Sequence, residues 1–100
     1  MIINGVNFDF AKLQAVAARH GIKRLSLFGS ILGPDFTEQS DVDLLVEFKP
    51  DARVNLFSIG QIEIELETVF GRRVDLRTPQ DLSQYFRQEV LDSAKPLYAA

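Results

Sequence analysis

The segment Ser40–Phe48, SDVDLLVEF, predicts a β-strand whose two faces differ in chemistry. Side chains two residues apart on a strand point the same way. One face would carry Val42, Leu44, Val46 and Phe48, and the other Asp41, Asp43, Leu45 and Glu47. The first face is typical of a strand packed on a core. The second face holds two neighbouring carboxylates, which repel each other unless a cation or water offsets their charge.

The rest of the chain alternates between helix and strand patterns. In order, these predict a helix over 8–21, a strand over 23–28, the strand over 41–48, a helix over 54–71, a strand over 72–78, a helix over 78–96 and an edge strand at 97–99. Within 54–71 the letters IEIEL alternate like a strand, but the length favours a helix, with Asn55 placed to cap its start and Gly71 its end. Thr78, Pro79 and Asp81 form the capping-box pattern that opens the last helix. We therefore expect an α/β (α+β) fold, with helices packed mainly on one face of a small mixed sheet.

Composition narrows the class of protein. The chain has 100 residues, 46% of them hydrophobic, and we expect a single domain over residues 1–100. A formal net charge of −3 argues against direct nucleic-acid binding, which needs a basic face. No segment approaches the roughly 20 apolar residues of a membrane helix, and no secretory signal is evident. The expected location is the cytoplasm.

Asp41 and Asp43 point to a metal site. Their Cα atoms would lie about 6.5–7 Å apart, so both carboxylates could reach hard divalent cations such as Mg²⁺, which also binds substrate phosphates. Asp75, in the strand over 72–78, would add a third carboxylate if that strand pairs beside 41–48, and could accept a proton. The alternative is that Asp41 is a turn residue at the end of a loop, Asp43 a solvated strand-edge residue and Asp75 a surface residue in an edge strand.

Gly29 and Ser30 follow the strand over 23–28 and could form a phosphate cradle. Glycine lets backbone N–H groups approach a ligand closely. Ser30 offers a hydroxyl and, if a helical turn starts there, the donors of a helix N-terminus. An ordinary N-cap is the alternative role for Ser30.

These residues resemble a known family. Gly29-Ser30, ten intervening residues, Asp41-Val42-Asp43-Leu44-Leu45-Val46 and then Asp75 on a later strand are similar to the motif of the polymerase-beta superfamily of nucleotidyltransferases. Over nearly its full length the chain resembles the minimal nucleotidyltransferases, small proteins commonly encoded beside a HEPN-domain protein as toxin–antitoxin pairs. The resemblance implies the nucleotidyltransferase fold.

The resemblance also implies a reaction. Asp41 and Asp43 would hold two Mg²⁺ ions around the phosphates of ATP, and Ser30 with the Gly29 backbone would hold the β- and γ-phosphates. Asp75 would be the third metal ligand and the candidate base. AMP would pass to a hydroxyl, expected to be a tyrosine, of a HEPN ribonuclease toxin, which would be silenced. Toxin and antitoxin would then form a hetero-oligomer.

The segment after Gly29-Ser30 departs from the family pattern. Many relatives carry a basic residue there, whereas this chain has Ile31 and Leu32. The cation could instead come from an arginine near Asp75: Arg72, Arg73 or Arg77. Apolar loop residues usually fold back onto the core, but exposed ones would suit docking of a protein acceptor.

Two other readings of the chain remain open. The protein could be a non-catalytic antitoxin that neutralises its partner by binding, or a nucleotidyltransferase that acts on a small molecule with a second subunit. Two further groups are assigned no chemistry. The glutamates Glu63, Glu65 and Glu67 are expected on a solvated helix face, and His20 at the end of the first helix, where the helix dipole favours it.

Overall fold

The computed structural model describes residues 1–100 and has the mixed architecture that the sequence predicts. In chain order the elements are β1 (Ile2–Ile3), β2 (Val6–Asn7), α1 (Phe10–Arg19), β3 (Ile22–Phe28), β4 (Val42–Phe48), α2 (Leu56–Phe70), β5 (Val74–Arg77), α3 (Arg87–Ser93) and β6 (Lys95–Ala99). The four-stranded sheet has the order β5-β4-β3-β6. Only β4 and β5 are parallel, and α2 is the crossover that joins them.

The central strand β4 has the predicted core face. Val42, Leu44 and Val46 are fully buried and belong to one cluster with apolar residues of α1 and α2. Leu45 on the opposite face is also buried, at 3% exposure, so a buried apolar residue lies between Asp43 and Glu47 on the carboxylate face of β4. The helices α1 and α2 pack against each other and against β3 and β5, respectively. No helix is both long enough and apolar enough to cross a bilayer.

Capping residues set the ends of α2 as predicted. The Asn55 side-chain oxygen accepts a hydrogen bond from the Ser58 backbone N–H at 3.0 Å. Gly71 ends the helix in the left-handed region at φ 69°. The predicted helix is therefore confirmed, although Ile62–Leu66 alternates like a strand in sequence.

The predicted third helix over 78–96 is wrong in its extent. The capping box of Thr78 and Asp81 forms, but it encloses only a 3₁₀ turn at Pro79–Asp81, and the chain becomes helical again at Arg87. The Arg87 guanidinium donates hydrogen bonds of 2.7–3.5 Å to backbone carbonyls of the preceding segment, those of Pro79, Gln80 and Leu82. The side chain thus supplies donors that a continuous helical backbone would otherwise provide, and only the Pro79 carbonyl also accepts a backbone N–H, that of Leu82.

The C-terminal end also differs from the prediction. The helix α3 ends at Ser93, and Pro96 lies within β6 rather than terminating the helix. Proline is tolerated there because β6 is an edge strand, as predicted. The short β1–β2 hairpin at the N-terminus was not predicted, because two-residue strands leave almost no alternation to detect.

The prediction of a solvated glutamate face on α2 is also wrong. Strand β5 is an edge strand, and its backbone N–H groups at Val74 and Leu76 donate to Glu67 Oε2 and Glu63 Oε2, each at 3.1 Å. The two glutamates are four residues apart, so they lie on the same side of the helix. They satisfy donors that an unprotected edge strand would offer to another chain.

The middle glutamate, Glu65, lies on the other side of α2 and binds α1. It forms an ion pair with Arg19, and its Oε2 lies 2.8 Å from His20 Nε2. Burial, and after it the charge of Arg19, lower the pKa of His20. His20 thus joins two helices of the core.

We expect Glu63→Ala and Glu67→Ala each to lower the free energy of unfolding by about 1 kcal/mol, because each leaves a partly buried backbone N–H without an acceptor. Urea denaturation of each variant measures this. Glu67→Gln keeps an acceptor oxygen and should lose less. Equal losses for Glu67→Gln and Glu67→Ala would contradict the proposed hydrogen bond, and the exposed Glu38→Ala is the control.

Candidate active site

The parallel pairing of β4 and β5 brings two predicted site residues together. Asp43 and Asp75 are direct partners in the register, and neighbouring strands lie about 4.8 Å apart. Both side chains are half-buried. Asp41 lies just before β4 and is exposed. The condition stated for Asp75, that its strand pairs beside β4, is therefore met.

Gly29 lies against Asp43 at the end of the other neighbouring strand, β3. In β3, Phe28 pairs with Asp43, and Gly29 follows with φ 77°, a conformation that side chains rarely adopt. A Cβ on Gly29 would overlap the Asp43 carboxylate oxygen and lie 3.1 Å from its Cγ. Gly29 is therefore required on two grounds, its backbone conformation and the close approach of a carboxylate.

Ser30 lies in a 3₁₀ turn, Gly29–Leu32, that begins where β3 ends. Its hydroxyl makes no hydrogen bond within the chain, although its carbonyl accepts one from Gly33 N–H. The turn is held by the β1–β2 hairpin, because the Asn4 side-chain amide donates to the carbonyls of Ile31 and Gly33 at 2.9 and 3.2 Å. Sequence reasoning missed Asn4, which is distant from the motif along the chain.

The electrostatics of the site are those of crowded negative charge. Burial raises the pKa of Asp43, and the charges of Asp75 and Asp41 raise it further, while Arg77 opposes them. Both neighbouring carboxylates therefore act on Asp43. A bound cation would relieve this repulsion.

Only one of the three candidate arginines contacts a site carboxylate. Arg77 lies 3.2 Å from Asp75 Oδ2. Arg72 instead donates to the carbonyls of Thr37 and Ser40 and stacks on the Phe36 ring, 4.8 Å from its centroid. It therefore holds the loop that leads into Asp41. No side-chain hydrogen bond or ion pair is formed by the third arginine, Arg73.

The apolar residues after Gly29-Ser30 have two different environments. Ile31 is 2% exposed and belongs to the core, and Phe36 packs partly buried against it. Leu32, the last residue of the turn, is 39% exposed. Ile31 therefore anchors the turn, and Leu32 is the one of the three left on the surface.

The donor set fits Mg²⁺ in kind, because the three aspartates offer only oxygen ligands and these suit hard cations. They do not form a ready-made cluster, since no three acidic or histidine side chains come together closely enough to hold a metal by themselves. Asp75 Oδ2 is engaged by Arg77. A metal bound here by Asp41, Asp43 and Asp75 would require side-chain movement and ligands from the substrate phosphates or water.

Two grooves were not anticipated from sequence. One has a volume of about 620 Å³ and lies between α3 and the Gly29–Leu32 turn with the following Gly33. The other, of about 420 Å³, lies around His20, Lys49 and Arg53 and contains none of the predicted site residues. The first adjoins the predicted site, and no local motif on α3 signals it.

Comparison with known proteins gives the family. The family model described as "Nucleotidyltransferase domain" matches residues 12–97. The chain belongs to the nucleotidyltransferase domain family. The MntA protein adenylyltransferase of Thermococcus cleftensis is 34% identical over 81 residues, which are 81% of this chain and 80% of that protein. A Methanocaldococcus jannaschii relative, provisionally named a protein adenylyltransferase, is 34% identical over 83% of this chain and 87% of its own length.

Solved structures share the fold of this nucleotidyltransferase. A toxin–antitoxin crystal structure with AMP-PNP superposes with a TM-score of 0.71 at 19% identity, covering 92% of this chain and 74% of that one. A tri-AMPylated Shewanella oneidensis HEPN toxin in complex with its MNT antitoxin gives a TM-score of 0.63 at 19% identity, covering 91% and 70%. These likenesses confirm the predicted nucleotidyltransferase fold.

We expect Asp43→Asn to raise the melting temperature of the metal-free protein at pH 7. The raised pKa of Asp43 means that the folded state binds its proton more tightly than the unfolded state, so ionised Asp43 costs stability above that pKa. The gain should shrink as the pH falls through the raised pKa of Asp43, because wild-type Asp43 then becomes protonated. Thermal unfolding across pH measures it, with exposed Asp35→Asn as control. A gain independent of pH would contradict this.

Gly29→Ala should destabilise the fold by 1 kcal/mol or more, about the cost of a strained backbone conformation, because the new Cβ also meets Asp43. Gly60→Ala is the matched control. A Cβ at Gly60 meets nothing within 4 Å in the middle of α2, so that change should stabilise the protein by about 0.5–1 kcal/mol. Chemical denaturation compares them, and equal effects would show that Gly29 is not constrained.

Proposed function

We propose that this nucleotidyltransferase is an antitoxin that transfers AMP from ATP to a tyrosine hydroxyl of a cognate HEPN ribonuclease toxin and so neutralises it. The observation that carries the proposal is the pairing of Asp43 with Asp75 beside Gly29. The names of the relatives support it, since one is an MntA protein adenylyltransferase and another is an MNT antitoxin in complex with a tri-AMPylated HEPN toxin. A structural neighbour with AMP-PNP supports ATP as the substrate.

In this proposal the chain's own residues position the triphosphate. The free hydroxyl of Ser30 and the backbone of Gly29 contact the β- and γ-phosphates. The acceptor oxygen forms a bond to the α-phosphorus, and the bond from that phosphorus to the bridging oxygen breaks. Pyrophosphate leaves with the bonding electrons, and AMP stays on the acceptor.

The carboxylates have two roles in the same proposal. Asp41, Asp43 and Asp75 would hold two Mg²⁺ ions. Bound there, the ions would stabilise the attacking and leaving oxygens of such a displacement. Asp75 is also the candidate base for the proton of the acceptor hydroxyl. Arg77 contacts one oxygen of that carboxylate, and the other oxygen makes no hydrogen bond within the chain.

A second candidate is an antitoxin that acts by binding alone. The absence of a preassembled three-ligand cluster and the pairing of Asp75 with Arg77 favour it. In both cases we propose that residues 1–100 act as one domain, supported by the single core cluster. The cytoplasm, where ATP is abundant, is the proposed location.

The test is transfer of label from α-labelled ATP to the HEPN protein, with Mg²⁺ and with EDTA. We expect label on the partner, its loss in EDTA, and a drop of at least 100-fold for Asp41→Asn/Asp43→Asn, because the triphosphate charge is then no longer balanced. Asp35→Asn/Asp51→Asn, two exposed residues outside the site, is the matched control.

The outcome also separates the two candidates. Neutralisation of the toxin should fail with the Asp41→Asn/Asp43→Asn variant if AMP transfer is required. If the partner is never labelled, yet the double variant still neutralises it, the enzymatic proposal is wrong and the binding antitoxin is supported.

A further inference from the structure

We propose that the groove between the Gly29–Leu32 turn and α3 binds the adenine ring of ATP, with Phe86 stacking on the ring. This inference rests on the proposed function and names the part of the site that holds the base of the nucleotide. The groove encloses about 620 Å³, within the range of small-molecule sites.

The position of the groove carries the first step. Gly29 lines it and also contacts the Asp43 carboxylate. A nucleotide whose phosphates lie at Gly29 and Ser30 therefore has its nucleoside within reach of the groove. The groove lies on the β3 side of Asp43, whereas Asp75 lies on the β5 side. The nucleobase and the acceptor hydroxyl are thus assigned to opposite sides of the reacting phosphate. The nucleobase lies in the groove, and the acceptor hydroxyl lies beside Asp75.

The lining carries the second step. Phe86, at the start of α3, is 61% exposed, and Leu32 on the opposite wall is 39% exposed. Both side chains are therefore exposed in the free protein, and Phe86 does not belong to the core cluster. An aromatic face beside an aliphatic side chain is suited to a flat heterocycle, since every base offers a π-face for stacking.

The stacking role is tested by nucleotide binding to the free protein, without a partner. Phe86→Ala should weaken AMP-PNP binding about tenfold or more in calorimetric titration, and should leave the affinity for inorganic triphosphate unchanged. Phe86→Tyr should keep the affinity, because it keeps the aromatic face. Tyr85→Ala is the matched control, since Tyr85 is the adjacent, 84% exposed aromatic residue and does not line the groove.

The remaining outcomes separate this inference from the proposed function. If Phe86→Ala leaves AMP-PNP binding intact and lowers only labelling of the HEPN protein, the groove binds the acceptor and the inference is wrong, while the function stands. If the wild-type protein binds neither AMP-PNP nor triphosphate in the presence of Mg²⁺, the proposed function fails first.

Discussion

The close approach of three elements around Asp43 is the constraint on which the rest of the structure depends. Its carboxylate lies between Asp75 on one neighbouring strand and the bare Cα of Gly29 on the other. Crowding these groups costs electrostatic free energy in the metal-free protein, because a partly buried carboxylate lies beside two others. A cation bound at these carboxylates, as proposed above, would offset this cost.

The surrounding elements make that arrangement rigid. The parallel pairing of β4 and β5 requires the α2 crossover, and Glu63 and Glu67 of α2 bind the backbone of β5 in return. Asn4 fixes the Gly29–Leu32 turn, and Arg72 fixes the loop before Asp41. The turn, the loop and the edge strand that carry the site are each held by a side chain from elsewhere in the chain.

Local patterns in the sequence predicted the elements that local physics controls. The alternation around β4 and the caps of α2 gave those elements nearly to the residue, and the motif gave the membership of the family. Long-range partners could not be read in the same way. Nothing near Thr78 shows that Arg87 will bind the carbonyls of this segment, and nothing in the glutamate spacing shows an edge strand beside α2. The groove at Phe86 likewise depends on how α3 returns to β3.

The most direct test of the account is paramagnetic line broadening in the amide spectrum of the protein with AMP-PNP and Mn²⁺ in place of Mg²⁺. If the carboxylates form a metal and triphosphate site, the amides of Gly29, Asp43 and Asp75 should broaden first, at substoichiometric Mn²⁺, and Asp43→Asn should abolish the effect. Broadening centred elsewhere, for example at Glu63 and Glu67, or broadening unchanged in Asp43→Asn, would contradict the account.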